Sequence, residues 1–322
     1  MYRMVPVKIF RRLVWGSMVL AGISCRGYRQ LSVEVLQPSL IPVSTEKRIA
    51  LLDRNIWRKD SVVVMAGDIF GELQQDVSRE FYRGMSYIAA GNGFSDTIIR
   101  LPLSCPVILE KGEQPVALSA DTVWDLCRKF KADYIVSIES SAFVEPSNRS
   151  LNWERTVYLY SPFSGQFLDS VVLTGKFRVM ENAYTLYEDI VIDSWDQGEN
   201  YAKRIMPYWA EMVRRVYVRG KVLRLGYSYL KAEKEEQALQ VWEGALKLSG
   251  RMAVRAAVNM AWVYERAGHF SRAIKILEQI SQSAQSGGIK CEELQYVREY
   301  LKILTRRIED GDLLELQAIP AK

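Results

Sequence analysis

Two segments near the carboxyl end of the chain repeat the same residue pattern at a constant offset of 35 residues. The first segment supplies Leu225, Gly226, Tyr229, Ala238, Trp242 and Ala245, and the second supplies Met260, Ala261, Tyr264, Ala273, Leu277 and Ile280. Small residues that recur at fixed positions let neighbouring helix backbones approach closely, as stacked helical hairpins require. The chain also keeps helical apolar spacing from Tyr201 to about Glu309. The pattern therefore predicts an all-α domain of stacked helical hairpins.

The second segment, residues 259–280, resembles the tetratricopeptide repeat, a helical hairpin with a 34-residue period. In this segment Gly268 lies in the turn, and Phe270 is the aromatic residue just before the second helix. The first segment is a degenerate copy with charged residues at its turn, and a generic helical hairpin is the alternative for both. The resemblance implies a concave groove that receives a peptide or a protein partner.

Two repeats are fewer than the three or so that a stable stack needs, so flanking helices must cap the stack. Residues 201–218 and 291–309 have the apolar spacing expected of such helices. Residues 281–288 predict a flexible connection, and His269 is expected to face solvent at the turn between the repeat helices. The basic run that precedes the first repeat predicts a solvated helix face, with an acidic partner or an anionic lipid surface as the alternative; it comprises Arg214, Arg215, Arg219, Lys221 and Arg224.

The amino terminus has the plan of a secretory leader. Four basic residues precede an apolar run of 11 residues, 13–23, which is too short to cross about 30 Å of hydrocarbon as a helix. Cys25 follows the small residue Ser24, as in the lipobox of bacterial lipoproteins, although Gly22 holds the position where leucine is common. The segment predicts a lipoprotein signal peptide over residues 1–24 with lipidation of Cys25. An ordinary cleaved signal peptide is the alternative.

The formal net charge of +5 is largely local to that leader. Residues 1–24 contain four basic residues and no acid, so the rest of the chain has 39 basic and 38 acidic residues, a net charge of +1. A nearly neutral body lacks the strong basic field that binding to nucleic acid phosphates requires. We therefore expect no nucleic-acid partner.

The segment that follows the leader predicts an α/β domain. Strands are expected over residues 31–36, 48–53 and 132–139, with amphipathic helices over 72–90 and from Asp121, the latter capped by Ser119 or Asp121. Residues 97–109 contain two prolines and are expected to form an edge strand or a loop. Residues 153–160 and 166–179 alternate on either side of Ser161–Gly165, which predicts an antiparallel hairpin, followed by a helix over 184–195. The predicted fold class is α+β or α/β: a small mixed-sheet domain followed by tetratricopeptide-like helical hairpins.

Motifs of known chemistry are absent from the sequence. It contains no phosphate-binding loop, no nucleophile elbow and no HExxH, and a single histidine cannot support the usual histidine-based triads or metal clusters. We expect no cofactor, no metal and no catalytic residue. The alternative is an acid/base pair drawn from Asp53, Asp68, Asp133 and Glu139. Cys127 is expected to be a buried thiol, and the spacing leaves a Cys105–Cys127 disulfide open.

Several motifs together resemble an uncharacterised family of Bacteroidetes-type lipoproteins, known as a domain of unknown function with a tetratricopeptide-like tail. They are the lipobox, the run from Leu118 through Trp124 and Cys127 to Val136, Arg204-Ile205 with Pro207 and Trp209, and Asn259-Met260-Ala261. The resemblance covers most of the mature chain, and it implies neither an activity nor catalytic residues.

The predicted organisation is a signal peptide over 1–24, an α/β domain with a hairpin over 25–195 and a helical repeat domain over 196–322. We expect a lipid-anchored, non-enzymatic scaffold of the outer or inner membrane that binds a protein partner through its helical repeats. The alternative is an envelope-polymer hydrolase that uses carboxylates of the α/β domain. Residues 26–30 lack the acidic run that marks surface export in related lipoproteins, so the chain is expected to face the periplasm.

Overall fold

The computed structural model of the chain describes residues 27–41, 43, 47–58, 69–92, 97–110, 113–147, 150–164, 167–178, 183–248 and 250–318. The predicted signal peptide and Cys25 lie outside the described residues. The chain divides into two compact units. One comprises residues 36–209 and 313–322 and is called the sheet unit; the other comprises residues 1–35 and 210–312 and is called the helical unit. This arrangement confirms the predicted α+β class.

The strands and helices are as follows. The strands are β1 (Tyr28–Gln37), β2 (Ile49–Asp53), β3 (Ile56–Arg58), β4 (Ile98–Arg100), β5 (Val107–Leu109), β6 (Tyr134–Ser147), β7 (Ser150–Tyr160), β8 (Phe167–Arg178) and β9 (Tyr208–Tyr217). The helices are α1 (Ile69–Gly91), α2 (Ala120–Phe130), α3 (Ala183–Ile205), α4 (Lys221–Lys231), α5 (Glu235–Leu246), α6 (Arg251–Arg266), α7 (Phe270–Ser286) and α8 (Glu292–Ala318).

The sheet unit contains a mixed sheet in which β6 is central. Strands β2 and β3 lie one after the other along one side of β6, both parallel to it, and β4 and β5 continue the sheet beside them. On its other side β6 pairs antiparallel with β7, and β7 pairs antiparallel with β8. The predicted hairpin is therefore confirmed. The two short pieces β4 and β5 lie at the edge, where the prolines of residues 97–109 are tolerated.

Helices cover both faces of this sheet, although not completely. On one face α1 and α3 pack together and bury Phe81, Met85 and Tyr201 against the strands. Their backbones meet closely at Gly84 and Gly198, where an added Cβ would lie 2.1 Å from the carbonyl oxygens of Trp195 and Phe81 respectively. On the other face α2, capped by Ser119 as predicted, buries Val123 and Cys127. Cys127 is thus the buried thiol that its spacing predicts, and Cys105, Cys127 and Cys291 are all free thiols.

The helical unit consists of the pairs α4–α5 and α6–α7, the long helix α8, and a ribbon of β1 and β9. Its core is continuous and contains the fully buried Trp242, Val258, Leu277 and Tyr300. Helix α8 confirms the helix predicted over 291–309. Helix α7 runs to Ser286 and places Ala284 in the core, so the prediction of a flexible connection over 281–288 is wrong for most of that segment.

Two elements differ from the sequence predictions. Residues 201–218 do not form one capping helix: α3 ends at Ile205, before Pro207, and the alternating residues from Tyr208 form β9. The strand predicted over 31–36 exists as β1, but it pairs with β9 and not with the mixed sheet. Its burial alternates, with Val33 and Val35 buried and Ser32 and Glu34 exposed, as in a two-stranded ribbon with one solvent-exposed face. The predicted boundary between residues 195 and 196 lies within α3.

Candidate interaction surfaces and buried charge clusters

In the helical unit, the chain's own strand β9 packs against helix α6 of the second hairpin. Helix α6 is buried on nearly every side, which is unusual for a repeat helix with an open binding face. The carboxamide of Asn259 explains part of this contact, because it accepts a hydrogen bond from the Tyr217 N–H (2.6 Å) and donates one to the Tyr217 carbonyl (2.8 Å). A helix side chain therefore completes the backbone hydrogen bonds of the strand.

A buried carboxylate fixes the same strand. Glu265 on α6 accepts two hydrogen bonds from Arg214 of β9, from Nε (3.0 Å) and Nη2 (2.9 Å). It accepts two more, from the hydroxyl of Tyr300 (2.6 Å) and from Nη1 of Arg307 (2.7 Å). Burial alone would raise the pKa of Glu265, but the donors, with Arg214 foremost, outweigh it and hold the pKa below its ordinary value. The group is a charged, fully hydrogen-bonded cluster.

A second set of charges joins helix α8 to helix α6, and one more arginine of β9 has internal contacts. Glu293 on α8 accepts hydrogen bonds from Nε of Arg251 (2.8 Å) and Nε of Arg255 (2.8 Å). The guanidinium of Arg215 lies between the rings of Tyr28 and Tyr296, at 4.9 and 4.7 Å from their centroids. Two members of the basic run, Arg214 and Arg215, are therefore committed to internal contacts, and the prediction of a solvated face is wrong for Arg214, which is buried.

The repeat positions predicted from the sequence define two equivalent hairpins. In both turns the backbone N–H of one residue bonds the carbonyl of a tyrosine five residues earlier: Lys234 to Tyr229 at 3.0 Å and His269 to Tyr264 at 2.8 Å. The buried members are Gly226, Ala238, Trp242, Ala245, Met260, Ala261, Ala273 and Leu277; Tyr229, Tyr264, Phe270 and Ile280 are partly buried, and Gly268 is exposed in the turn. Leu225 is 49% exposed, unlike its equivalent Met260.

In the sheet unit, Glu139 lies where β6 has a register irregularity, between the pairs that Ile138 and Ser140 form with β7. Its buried carboxylate forms an ion pair with Arg54 and accepts a hydrogen bond from the Tyr160 hydroxyl (3.1 Å). Burial, offset in part by the Leu118 backbone N–H, raises the pKa of Tyr160, so the phenol stays protonated. Both carboxylate oxygens of Glu139 therefore have a partner, one in Arg54 and the other in Tyr160, at the irregular position of the strand.

Asp53 lies at the end of β2 and belongs to a different cluster. Its carboxylate accepts a hydrogen bond from the Asn55 backbone N–H (2.8 Å), and burial raises its pKa although Arg155 opposes the shift. The fully buried Arg155 lies over the rings of Phe81 and Trp153, on the face that α1 and α3 cover. Burial lowers the pKa of Arg155 to about 10, and it raises that of Asp193, which also faces Asp196, to about 6. The cluster is a strongly desolvated set of charges.

Of the four carboxylates considered for catalysis, the three that the structure describes do not come together. Asp53 faces the side of α1 and α3, whereas Glu139 contacts Tyr160, which belongs to the cluster that packs against α2 on the opposite face. Asp133 accepts a hydrogen bond from the Arg48 backbone N–H (2.9 Å) and pairs with Lys47. Asp68 lies outside the described residues. Within the described ranges, no group of three or more His, Cys, Asp and Glu side chains is placed to hold a metal ion.

The sheet unit exposes an apolar surface that the sequence analysis did not identify. Phe163 in the β7–β8 turn is 85% exposed, and Trp124 on α2 is 49% exposed. Their rings are 6.3 Å apart, and the rings of Tyr158 and Phe167 are 4.4 Å apart. With Val172 on β8, these side chains form what we call the aromatic edge surface. A phenylalanine in a Ser-Pro-Phe-Ser turn, where polar residues are usual, was the available signal.

Other buried groups carried weaker signals. Arg155 shares the strand phase of Trp153, Val157 and Leu159, so the alternation of β7 places it in the core. Glu265 follows Ala261 by four residues and lies on the same buried face of α6. Among the described helices, none combines the length and the apolar character that a membrane span requires.

One family model matches part of the chain, and its description states no activity. Residues 224–306 match a family described as a domain of unknown function, DUF6340. This confirms the coarser part of the sequence resemblance, although the match covers well under half of the chain; the tetratricopeptide and Bacteroidetes parts stay predictions. No curated protein matches the chain.

The similar solved structures are distant. They include a PelC dodecamer from Paraburkholderia phytofirmans (11% identity, 55% of this chain and 99% of that chain, TM-score 0.27) and the hypothetical protein CT253 from Chlamydia trachomatis (10%, 48% and 98%, 0.28). Lipoprotein GNA1162 from Neisseria meningitidis is a third (11%, 47% and 99%, 0.22). Similarity at this level transfers neither fold nor function.

Proposed function

We propose that this chain is a non-enzymatic, lipid-anchored protein of the cell envelope that binds another protein through the aromatic edge surface of its sheet unit. The observation that carries the proposal is two close pairs of aromatic rings, Trp124 with Phe163 and Tyr158 with Phe167, of which all but Tyr158 are exposed. They lie near β8, which pairs with β7 alone among the described residues. Aromatic residues are enriched at the centres of protein interfaces, and an exposed apolar patch of this kind is characteristic of binding surfaces.

The helical repeats have a different role in this proposal from the one expected of them. Asn259 and Glu265 of helix α6 hold β9 against the second hairpin, so a partner that binds there would have to displace a strand fixed by a buried ion pair. The repeats thus bind an extended segment of their own chain. The remaining proposal for the helical unit is that it provides a rigid support.

The hydrolase alternative has no supporting observation. Among the described candidates, Asp53 and Glu139 lie on opposite faces of the sheet, and Glu139 and Asp133 are engaged by basic side chains. A glycosidase requires two carboxyl groups that face one substrate at about 5 to 9.5 Å.

The lipid anchor is proposed from Cys25 and the basic, apolar leader. A diacylglycerol and an amide-linked acyl chain give the two or more chains that stable anchoring needs. Replacing Cys25 by serine should move the protein from the membrane fraction to the soluble fraction of cells and should abolish labelling by a radioactive fatty acid. Retention of both in the variant would contradict the proposal. We further propose that the anchored protein faces the periplasm.

The interaction itself is tested by cross-linking in intact cells followed by purification of the full-length protein. We expect the double variant Trp124→Ser and Phe163→Ser to lose cross-linked protein partners at least tenfold, because both side chains are exposed and lie in the proposed interface. Leu225→Ser is the matched control, since Leu225 has the same exposure as Trp124 but lies in the helical unit. Partners that persist in the double variant and disappear in the control would assign binding to the helical unit.

A further inference from the structure

Strand β8 forms an open edge of the mixed sheet. Among the described residues it pairs with β7 alone, over 12 residues that contain no proline. Every second residue of an edge strand directs its backbone N–H and C=O away from its neighbour, where another strand can bond to them. The edge adjoins the aromatic edge surface, because Phe167 and Val172 belong to both.

The usual protection of an edge strand is confined to its two ends. A register irregularity near Leu168 disturbs the first residues, and Lys176 places a charge near the last. Between them, residues 169–175 present Ser170, Val172 and Thr174 to solvent and turn Val171 and Leu173 towards the core. The one charged residue in this central stretch, Asp169, is neutralised by two hydrogen bonds from Arg204, at 2.7 and 2.8 Å.

We propose that a second copy of this chain pairs with β8 through its own β8, antiparallel and centred on Val172, so that the two sheets become continuous. This inference rests on the proposed function and names the occupant of the same surface. In this register Val172 faces Val172 of the second copy and Ser170 faces Thr174, pairs that stabilise antiparallel strands.

The charges of the strand favour a second copy as the occupant. Lys176 lies four residues from the centre, so the two copies of its ammonium group lie at opposite ends of the paired strands, about 27 Å apart at roughly 3.4 Å per residue. Each Lys176 faces the apolar Leu168 of the other strand. No like charges are therefore opposed across the two-fold axis, which is the usual obstacle to pairing of a strand with itself.

A disulfide test follows from the centre of the pairing. Antiparallel partners have Cα atoms about 4.5–5.5 Å apart, which lies within the range that a disulfide accepts. We therefore expect Val172→Cys, in a full-length Cys105→Ser background, to form a disulfide-linked dimer at least ten times faster than the control Val213→Cys. Val213 is a matched control because it is 54% exposed on β9, against 53% for Val172 on β8. Equal rates for the two variants would overturn the proposal.

Sedimentation of the same full-length protein in detergent gives an independent result. Val172→Lys opposes two ammonium groups at the two-fold axis, so we expect its dimer dissociation constant to rise at least tenfold, whereas Val213→Lys should change it less than twofold. A parent protein that stays monomeric at all concentrations would overturn the self-pairing. The proposed function would survive that outcome if the Trp124→Ser, Phe163→Ser variant still lost its cross-linked partners in cells. If these substitutions and Val172→Lys changed neither the dimer nor the cross-linked partners, the self-pairing and the proposed function would both be wrong.

Discussion

The ion cluster around Glu265 gives the largest single-residue effect expected in the helical unit. The carboxylate is fully buried and accepts four hydrogen bonds, and its principal partner, Arg214, is itself buried. Glu265→Gln keeps the shape of the side chain but removes its charge and turns one acceptor into a donor. Arg214 is then left with a buried charge, and Arg307 with a partly buried one, that the side chain of residue 265 no longer compensates.

The expected cost follows from that geometry. Removal of one partner from a buried ion pair typically destabilises a protein by about 3–5 kcal/mol, which is a large part of a total stability of about 5–15 kcal/mol. With a urea m value of about 3 kcal/mol/M, the midpoint of unfolding should fall by about 1–1.7 M.

The assay is urea unfolding of the full-length protein, followed by tryptophan fluorescence and circular dichroism. Glu299→Gln is the control, because Glu299 is exposed on α8 and contacts only Gln295 one turn away among the described residues; its effect should stay within about 0.5 kcal/mol. A loss of less than 1 kcal/mol for Glu265→Gln would refute the reasoning, since it would mean that β9 is not held by this cluster.

Three further predictions concern the same unit. Gly226→Ala should lower the free energy of unfolding by about 1–3 kcal/mol, because the added Cβ would lie 2.2 Å from Nε1 of the buried Trp242. Gly244→Ala should instead raise it by about 0.5–1 kcal/mol, because no atom lies within 4 Å of the added Cβ. Thermal unfolding compares the two variants. Glu233 has φ of 58° at the turn position that Gly268 occupies in the second hairpin, so Glu233→Gly should raise the melting temperature through a gain of up to about 1 kcal/mol. The pKa of Glu265 is lowered by folding, so its contribution is complete above the unfolded value of about 4.3 and is lost as the pH falls through the folded pKa. The difference in unfolding free energy between the parent and Glu265→Gln should therefore be constant from pH 6 to 8 and should shrink below about pH 4.3. A difference at pH 3 as large as that at pH 7 would contradict this.

Local patterns in the sequence predicted most elements of the sheet unit. The spacing of Leu73, Val77, Phe81 and Met85 identifies α1, and the alternation on either side of Ser161 identifies the β7–β8 hairpin. In each of these elements the apolar residues follow a single periodicity, so the buried face and the type of secondary structure can be predicted together. The 35-residue offset likewise predicted two hairpins that share one turn geometry.

Strand β9 was missed because its residues fit two periods at once. Met212, Val216 and Tyr217 are spaced as on a helix, but Pro207 separates them from α3, and the buried Arg214 lies in the strand phase with Met212 and Val216. A buried arginine charge such as that of Arg214 needs a carboxylate partner, which can lie far away in the sequence. Glu265, 51 residues further along the chain, supplies that partner, and local sequence patterns do not contain such pairings.

The candidate interaction surface was missed for a related reason. Trp124, Phe163 and Val172 come from a helix, a turn and a strand, and each has an ordinary local explanation as a core residue. Only the arrangement of α2 over one part of the sheet leaves them exposed together. Exposure of an apolar residue is a property of the whole unit and not of its neighbours in sequence.

Hydrogen exchange of the full-length protein, measured by mass spectrometry at low and high protein concentration, tests the central claim most directly. The account predicts that the amides of β9 exchange as slowly as those of α6 at every concentration, because Asn259 and Glu265 hold β9 against α6. It also predicts that protection of β8 rises with concentration, because its edge is the binding surface. Exchange of β9 within seconds, together with a β8 that does not respond to concentration, would contradict the account and return the groove of the helical repeats to the position of binding site.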